Sequence, residues 1–434
     1  MIHAVILGAG SRGVNGYGRY ALAHPDELKI SAICDIDAAK TEKYGQLFSV
    51  PEKFRFTDSE ALFGAGKLGD VIFICTQDRD HFRHASRAME LGYDILLEKP
   101  VSPDLGECLE LVRLAKKHKR KVVVCHVLRY TAYFGKLKEL IDRGTVGKVI
   151  GIDEKENVEY WHQCHSFVRG NWRNSRETSP MILQKCCHDF DILYWLCGSE
   201  CERISSYGRL NWFRKENAPQ GAASRCLSGC KAKENCPFDA EKIYIEEFNK
   251  LNLSAEAKKT AFPYSQVCLD PSEKNLYEAI KTGPYGRCVY ACDNDVVDHQ
   301  VVNMSMKNGI VCTLTMSAFT AKGGRQVKIM GTEGEIEADE YENRIVVRRY
   351  GHDAQTIDVR SLTDDLSGHG GGDNRLIHDF IAEVSGKEAS VCSSTIDRSA
   401  ESHIMAFAAE YSRLHDGQNV KIEEFLKNEG KCGY

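Results

Sequence analysis

The chain has 434 residues, of which 57 are basic and 62 acidic, with a formal net charge of -5 and a hydrophobic fraction of 42%. These ordinary proportions exclude fibrous and disordered classes, and the length exceeds one usual hydrophobic core, so we expect two domains. No basic tail is present for nucleic acid, and no apolar stretch approaches the ~18 residues that span a bilayer, so neither nucleic acid nor membrane is expected as a partner.

The first residues lead directly into a predicted strand, His3 to Leu7, without a charged leader segment. This start predicts a cytoplasmic protein. The 18 cysteines include adjacent pairs such as Cys186 and Cys187, which do not suit a regular disulfide framework. We therefore expect mostly buried free thiols.

Residues 1–126 alternate short apolar runs with helical patterns, which is typical of a parallel sheet covered on both faces. The predicted strands are His3–Leu7, Leu28–Cys34, Phe54–Phe56, Asp70–Cys75, Tyr93–Leu97 and Lys121–Cys125. The sequence predicts an α/β fold whose N-terminal domain, 1–126, is a Rossmann doubly wound parallel sheet.

A glycine-rich motif, Gly8-Ala9-Gly10-Ser11-Arg12-Gly13, directly follows the first predicted strand. Gly8 permits a tight turn, Gly10 removes the Cβ that would obstruct a pyrophosphate, and Gly13 lets the following helix approach the strand. The helix N-terminus adds free N–H groups and partial positive charge. The motif therefore predicts dinucleotide binding.

Asp35 ends the second predicted strand, 22 residues after Gly13. Its carboxylate is expected to accept hydrogen bonds from the adenosine ribose hydroxyls. A 2′-phosphate would meet both Asp35 and Asp37 without a neighbouring arginine, so repulsion favours NAD over NADP.

The tripeptide Glu98-Lys99-Pro100 follows the fifth predicted strand, where a doubly wound sheet presents its ligand crevice. Pro100 restricts Lys99 to extended geometry, so its ammonium is held at the carboxyl edge of the sheet. The alternative is a surface lysine paired with Glu98.

In residues 127–434 the sequence pattern differs, because the extended runs are longer. They predict a C-terminal α+β domain with an open, mainly antiparallel sheet. The runs lie at 147–160, 202–212, 299–305, 309–319, 325–330 and 344–349, with helices expected at 180–196, 374–385 and 397–414. In the run at 309–319, alternate residues from Cys312 to Ala318 are apolar, whereas the opposite face is small and hydroxyl-rich. That second face is expected either to join subunits into a homo-oligomer, a dimer or tetramer, or to be exposed to solvent.

The chain resembles the Gfo/Idh/MocA family, which is named for glucose-fructose oxidoreductase, inositol dehydrogenase and rhizopine catabolism. The resemblance extends through most of the chain and depends on the glycine motif, Cys75-Thr76 before a helix with His81, Gly92-Tyr93-Asp94 before Glu98-Lys99-Pro100, and the segment ending Tyr194-Trp195-Leu196-Cys197-Gly198. It implies that Thr76, His81 and Glu98 belong to the cofactor site. It also implies that Lys99 lies near nicotinamide and substrate, and that a histidine on a second-domain helix is the acid/base; the matching residue is His188.

One position departs from the family pattern: members commonly carry aspartate four residues before the histidine, whereas this chain has Gln184 there and Lys185 beside it. Residues at i and i+4 share a helix face, so Gln184 and His188 are both expected to point into the same cleft. An amide cannot raise the proton affinity of an imidazole as a carboxylate does, and a nearby ammonium lowers it. We therefore expect His188 to be a weaker base, or Lys185 to share the proton work.

The expected reaction is hydride transfer from a secondary alcohol of a sugar or cyclitol to NAD, with His188 removing the hydroxyl proton and Lys99 stabilising the alkoxide. Two other classes stay open. One is a glycoside-cleaving enzyme that retains NAD and oxidises its substrate transiently; the other is a non-catalytic NAD-binding sensor. For His188 the alternative is a core histidine bonded to Asp191 or backbone.

The segment 161–173, before the predicted catalytic helix, is dense in aromatic, imidazole and guanidinium groups. Sugar sites need flat apolar faces with surrounding donors, and arginines also suit a substrate carboxylate or phosphate. The candidates for substrate binding are Arg129, Trp161, His165, Arg169, Trp172 and Arg173. The alternative is a packed surface loop with arginines whose stems lie on apolar surface.

Residues 213–285 are polar and weakly periodic, which predicts an insertion with little core of its own. It carries Cys226-x3-Cys230-x5-Cys236, and with Cys292 as a fourth thiolate these could hold a structural zinc ion. The spacing departs from paired C-x2-C knuckles, so scattered free thiols and an iron–sulfur cluster stay open as alternatives.

Overall fold

The computed structural model describes residues 1–429 and contains two β-sheets. The first is fully parallel, in the order β3-β2-β1-β4-β5-β6. Its strands are β1 Ile2–Leu7, β2 Leu28–Cys34, β3 Arg55–Phe56, β4 Val71–Ile74, β5 Asp94–Leu97 and β6 Val122–Val124. The predicted Rossmann sheet is confirmed, because strands buried on both faces have continuous apolar runs that the sequence reveals.

The second sheet has nine strands in the order β14-β13-β12-β11-β7-β10-β9-β8-β15. These are β7 Val149–Asn157, β8 Cys201–Arg209, β9 His299–Met306, β10 Val311–Ser317, β11 Gly324–Gly331, β12 Gly334–Asp339, β13 Arg344–Arg349, β14 Gln355–Asp358 and β15 Val420–Lys421. Strands β7 and β10 pair in parallel, whereas the other neighbours are antiparallel. The predicted open, mainly antiparallel sheet is confirmed, although β12, β14 and β15 were not predicted.

Helices pack against both sheets, and four further helices lie in the inserted segment. The α-helices are α1 Tyr20–Ala23, α2 Ala38–Leu47, α3 Ser59–Gly64, α4 His81–Glu90, α5 Leu105–His118, α6 Ala132–Asp142, α7 Tyr160–Gln163, α8 Met181–Gln184, α9 Cys187–Cys197, α10 Glu247–Lys250, α11 Ala255–Lys258, α12 Tyr264–Val267, α13 Glu273–Thr282, α14 Ser367–Gly370, α15 Gly372–Val384, α16 Ile396–Leu414 and α17 Ile422–Glu429. Within residues 1–429, no helix is both long enough and apolar enough to cross a lipid bilayer.

Helices α9 and α16 pack on the apolar face of the second sheet, against β7 and β8 respectively. On β10 the side chains of Cys312, Leu314 and Met316 are buried on this face, as predicted. The opposite face carries Val311, which is 56% exposed. The period-two pattern therefore identified the core side of this sheet correctly.

The predicted helix over 180–196 is broken into α8 and α9. Lys185 and Cys186 lie between them, with Cys186 at φ -91° and ψ 3°, outside helical geometry. The break leaves the backbone carbonyl of Gln184 at a helix end, where a side chain can satisfy it. The break interrupts the continuous helix from which a shared face of Gln184 and His188 was predicted, so that their common direction stays a prediction.

The inserted segment has a hydrophobic core, contrary to prediction. Phe213, Phe238, Tyr244, Leu276 and Ile280 are buried together in a cluster separate from the main core. Apart from the ten-residue α13, its α-helices have four residues each, which is too short for a sustained apolar period. The apolar periodicity of residues 213–285 therefore did not reveal this hydrophobic core.

Candidate active site

The glycine loop is shaped by contacts within the protein at two of its three glycines. Gly8 has a φ of +98°, and a Cβ there would lie 2.5 Å from the backbone of Cys75. A Cβ on Gly13 would lie 2.2 Å from the carbonyl oxygen of Gly8. Around a Cβ on Gly10, in contrast, no described atom lies within 4 Å. Gly10 therefore borders open space, which suits the close approach of a pyrophosphate.

Asp35 at the end of β2 supports this loop. One carboxylate oxygen accepts the Ala9 N–H at 2.8 Å and the other accepts the Asp37 N–H at 2.9 Å. Asp37 caps α2 by accepting from the amides of Ala39 and Lys40. The neighbouring Ile36 is 93% exposed. The rim of the loop thus offers a fixed carboxylate beside an exposed apolar side chain.

Arg12 reaches from the loop to two carboxylates. Its guanidinium donates to Glu98 at 2.8 Å and to both carboxylate oxygens of Asp373, at 3.0 and 2.8 Å. Burial alone would raise the pKa of the Asp373 carboxyl, but Arg12 and His369 hold it well below its ordinary value. Asp373 belongs to α15, so this bridge joins the glycine loop to the C-terminal half. Ser11 precedes Arg12 at the start of the π-helical turn Ser11–Gly18.

Thr76 and His81 lie at the carboxyl edge of the sheet, beyond β4. Nδ1 of His81 is 2.7 Å from the Pro100 carbonyl oxygen, and its Nε2 is 3.1 Å from that of Thr76. The His81 ring therefore links Thr76 to Pro100 and holds the Lys99-Pro100 turn beside the end of β4.

Lys99 contacts the helix pair that precedes and carries His188. Its Nζ donates to the backbone carbonyl of Gln184 at 2.9 Å and to the side-chain Oε1 at 3.3 Å. The amide of Lys99 donates to Glu98 at 3.0 Å. The ammonium at the edge of the parallel sheet therefore contacts the end of α8, just before the helix that carries His188.

His188 is buried, with 7% of its surface exposed. Within residues 1–429 its Nδ1 has no hydrogen-bond partner, so the alternative of a histidine bonded to Asp191 is wrong for that atom. The His126 ring lies edge-on at 5.5 Å between centroids. Burial, the Lys99 ammonium and His126 lower the pKa of His188 well below its ordinary value. A neutral imidazole of this kind is able to take a proton at neutral pH.

Four charged groups lie beneath α9 in one network. Lys185 is 3.3 Å from Glu156, and Arg325 bonds Glu156 at 2.6 Å and Asp189 at 2.9 Å. Burial raises the pKa of Asp189 to about 6. Burial opposes ionisation of Glu156 as well, yet Arg325 and Lys185 bring its pKa below the ordinary value. Lys185 is therefore ion-paired, which restricts any share it takes in proton work.

The predicted substrate-binding arginines are engaged by protein groups. Arg129 forms a bidentate pair with Asp191 at 2.6 and 2.7 Å, and Arg173 pairs with Asp293 at 2.7 Å. Arg169 donates to the carbonyl oxygens of Phe238, in the inserted segment, and of Arg287, just beyond it, at 2.6 and 2.8 Å. These contacts match the packed-loop alternative more closely than a free cationic site.

The predicted aromatic candidates are spread over the same loop. His165 is buried between Tyr244 and Gln266, and Trp172 packs against Phe167 with 6.2 Å between ring centroids. Trp161 is half-buried and stacks on His162. Burial, Lys185 and His165 lower the pKa of His162, with a smaller effect of Lys99.

Sequence reasoning missed three groups near His188. His126 directly follows β6, next to the strand that leads to Lys99, so its position at the carboxyl edge was a usable signal. Arg325 stands at a buried position of β11. His403 on α16 accepts the Val101 N–H at 2.8 Å and lies 5.9 Å from the His126 ring. No local sequence pattern predicts a site role for Arg325 or His403.

The cysteine predictions have a mixed outcome. Cys226, Cys230 and Cys236 line one small cavity together with Cys288, whereas Cys292 is not on its lining. Within the described chain, no three His, Cys, Asp or Glu side chains are drawn together as metal ligands. The 17 cysteines of that part are free.

Comparisons with known proteins extend over both halves. Residues 2–126 match the model of an oxidoreductase family's NAD-binding Rossmann fold, and residues 138–395 match that family's C-terminal alpha/beta domain. The chain is 24% identical over 370 residues to the putative oxidoreductase YteT of Bacillus subtilis, covering 81% of this chain and 82% of that protein. It is 28% identical over 200 residues to an inositol 2-dehydrogenase of Corynebacterium glutamicum, covering 43% of this chain and 54% of the relative. A solved inositol dehydrogenase homolog from Azotobacter vinelandii, complexed with NAD+, has the same fold, with a TM-score of 0.66, 16% identity and 97% of each chain covered.

Proposed function

The chain belongs to the Gfo/Idh/MocA family of NAD-binding oxidoreductases, and from that premise we propose that it transfers hydride between NAD and a secondary alcohol of a sugar or cyclitol. The observation that carries the proposal is the contact of Lys99 with Gln184, which joins the edge of the glycine-loop sheet to the helix pair carrying a buried His188. Inositol dehydrogenases among the relatives and structural neighbours support a polyol substrate.

The residues of the first sheet fit NAD. The open space at Gly10 leaves room for a pyrophosphate, and the helix turn after it supplies free amides. Asp35 accepts ribose hydroxyls and repels a 2′-phosphate, while Ile36 offers an apolar contact in place of a cation. We assign NAD binding to residues 1–126, with Thr76, His81 and Glu98 shaping the crevice, and substrate binding to residues 127–434.

His188 is the proton acceptor in this proposal. Bound NAD supplies the hydride acceptor. The imidazole takes the hydroxyl proton as the substrate is oxidised, and the Lys99 ammonium stabilises negative charge on the same oxygen. Because Gln184 is neutral, the positive charge of Lys99 is not cancelled beside the reacting oxygen. His162 and Trp161 are the parts of the 161–173 loop to which we assign substrate contact.

A retained cofactor is the second candidate, and the Arg12 bridge favours it. Arg12 links Glu98 to Asp373 across the glycine loop, and such a link would slow the release of NAD. An enzyme with slow release can oxidise a sugar hydroxyl, eliminate a glycosidic group and return the hydride.

The outer face of the second sheet is a proposed subunit contact. Ile150 on β7, Val311 on β10 and the cross-strand pair Tyr207 and Val301 are exposed there. Exposed apolar groups clustered on one open sheet face favour symmetric association. Light scattering after size exclusion, expected to give a dimer or tetramer, tests this assignment.

One experiment separates the function classes. The purified chain is incubated with NAD and a panel of sugars, cyclitols and aryl glycosides, and NADH absorbance and aglycone release are followed together. NADH in excess of enzyme supports the dehydrogenase. Aglycone release without net NADH supports the second candidate, and NAD binding without turnover of any compound contradicts both.

A further inference from the structure

The ring of His126 packs against two other histidine rings near the candidate active site. His188 lies edge-on to it at 5.5 Å between centroids, and His403 lies edge-on to it at 5.9 Å. His126 is fully buried, and within residues 1–429 neither of its ring nitrogens has a hydrogen-bond partner. A buried polar group without partners costs free energy, so packing alone does not account for a histidine at this position.

Of the two neighbouring rings, His188 is the one with a nitrogen to share. Both nitrogens of His403 are occupied, one by the Val101 N–H at 2.8 Å and the other by the Ser399 carbonyl oxygen at 2.8 Å. In His188, only Nδ1 is a buried atom without a partner among the described residues. Nε2 is therefore the nitrogen that can face a substrate hydroxyl, whereas Nδ1 is enclosed by the protein together with the ring of His126.

A fixed carboxylate lies beside His126. Oδ2 of Asp191 is 4.0 Å from Nδ1 of His126, and the Arg129 guanidinium holds this carboxylate in a bidentate pair at 2.6 and 2.7 Å. The 4.0 Å separation exceeds a hydrogen bond, but at this distance the negative charge still favours a protonated ring. Asp191 is on α9, as His188 is, and it is buried. His126 therefore has an anion beside it in the protein interior.

The charges around the two rings differ in sign. After burial, the next effects that lower the pKa of His188 come from side chains that carry or can carry positive charge, namely Lys99, His126, Arg325 and His369. Burial also lowers the pKa of His126, to about 4, but the largest charge effect on that ring is the upward one of Asp191. The other charged groups that act on His126 are Arg129, Lys99 and Glu98. A proton in this interior is therefore held better by His126 than by His188.

We propose that His126 is a positioning residue that receives a proton from His188 during the reaction, an inference that rests on the proposed function of His188 as the base. As Nε2 of His188 takes the hydroxyl proton, the proton on its Nδ1 passes to a ring nitrogen of His126. Because the two rings share no hydrogen bond in the described chain, the transfer runs through one bound water. His188 stays neutral, and the positive charge forms beside Asp191. When the product leaves, His126 returns its proton to Nδ1 and Nε2 releases the other to solvent.

This relay supplies the negative charge that Gln184 does not. The Gln184 amide is neutral and accepts from Lys99 at 3.3 Å, so it cannot stabilise positive charge on His188. Asp191 acts instead through His126, from three residues beyond His188 in the chain. A base whose charge moves on to a second ring is the arrangement in which a third group orients and supports the acceptor.

The first test locates the ring protons and needs no turnover. Wild-type protein labelled with ¹⁵N at histidine is studied by two-bond ¹H–¹⁵N correlation spectra, which distinguish the two neutral tautomers and the charged form of each ring. We expect His188 to carry its proton on Nδ1, and His126 to become charged before His188 as the pH is lowered. A His188 ring protonated on Nε2, or charged before His126, would overturn the proposal.

The second test uses His126→Gln, whose amide can form hydrogen bonds but cannot take up a proton. With a compound that turns over in the sugar and cyclitol panel, kcat should fall by about 10- to 100-fold while KM changes little. The solvent deuterium isotope effect on kcat should rise, because proton transfer becomes slower. His84→Gln is the matched control, since His84 is another buried histidine whose pKa is lowered to about 4 by burial, and it should keep the wild-type kcat.

An unchanged kcat and isotope effect in His126→Gln, or equal losses in both variants, would contradict the relay. The spectra of the wild-type protein decide it even where His126→Gln fails to fold. They also decide it if no compound turns over, a result that would contradict the proposed function alone.

Discussion

The ammonium of Lys99 donates to Gln184 twice, to the backbone carbonyl at 2.9 Å and to the side-chain Oε1 at 3.3 Å. The first bond uses the carbonyl freed by the break between α8 and α9. The second uses the amide that stands where the family commonly has aspartate. The departure from the family pattern is therefore in direct contact with the proposed catalytic lysine, and it changes the charge that His188 experiences.

Gln184→Glu should restore that missing charge with little change in shape. After burial, the Lys99 ammonium is the next largest cause of the lowered pKa of His188. A carboxylate 3.3 Å from that ammonium would cancel part of its charge. His188 must be neutral to accept a proton, so raising its pKa makes the loss of activity on acidification begin at a higher pH. We expect the acid limb of kcat/KM to move upward by about one pH unit. Gln184→Asn adds no charge and should leave the limb in place; equal profiles for all three proteins would contradict the role of this contact.

Lys99→Ala and His188→Ala should separate catalysis from cofactor binding. Each removes a group proposed to act on the substrate oxygen, and we expect turnover to fall by roughly 10²- to 10⁴-fold. Binding of NAD, measured by titration of protein fluorescence, should change little because the glycine loop is intact. Turnover that survives either substitution would reject the assignment of that residue.

Gly10→Ala and Gly8→Ala should fail in different ways. A methyl group on Gly10 contacts no described atom, so the melting temperature should be unchanged while NAD affinity falls. On Gly8 it would meet the Cys75 backbone at 2.5 Å, at a φ of +98°, so the fold itself should lose stability. Thermal unfolding and NAD titration of both variants test this contrast. Normal NAD binding by a stable Gly10→Ala would place the cofactor elsewhere.

Much of the fold was predictable because burial leaves periodic traces. The parallel strands of the first sheet are continuous apolar runs, and each predicted strand end lies within one residue of the structure. Strand β14, Gln355–Asp358, has three of its four residues exposed and leaves no such trace. The break at Lys185 was hidden as well, because it coincides with a hydrogen bond from Lys99, 85 positions away.

The candidate site was predictable where chemistry follows a strand and hidden where it depends on distant packing. The glycine loop, Asp35 and Lys99 each stand at a strand end, a position that sequence reveals. Arg325 meets Asp189, 136 positions away, only because β11 pairs with β7, the strand on which α9 packs.

Asp35→Asn should alter cofactor choice, whereas Asp37→Asn should not. Asp35 fixes the loop through Ala9 and presents negative charge to a 2′-phosphate, so its neutralisation should weaken NAD binding and narrow the preference over NADP. Asp37 caps α2, and its replacement by a residue that also caps should cost well under about 1 kcal/mol. Dissociation constants for both cofactors are the measurement. A larger shift in preference from Asp37→Asn than from Asp35→Asn would contradict the assignment.

His403 should make stability depend on pH. Its Nε2 accepts the Val101 N–H at 2.8 Å and its Nδ1 lies 2.8 Å from the Ser399 carbonyl oxygen, so the neutral ring fits both partners. Burial and the neighbouring His126 lower its pKa to about 3. An unfolded histidine titrates near ~6.5, so between these values the unfolded chain binds a proton that the folded chain does not. Stability should therefore fall as pH drops from about 6.5, and the loss from this residue continues until the folded pKa is reached.

His403→Gln isolates that contribution, because the amide can still accept from Val101 but cannot titrate. The slope of unfolding free energy against pH, from urea denaturation between about pH 4.5 and 6, should become shallower by about 1.4 kcal/mol per pH unit. The exposed His378→Gln is the matched control and should leave the slope unchanged. An unaltered slope in His403→Gln would mean that the ring is protonated in the folded chain, in which case the bond to Val101, two residues from Lys99, could not hold the turn in place.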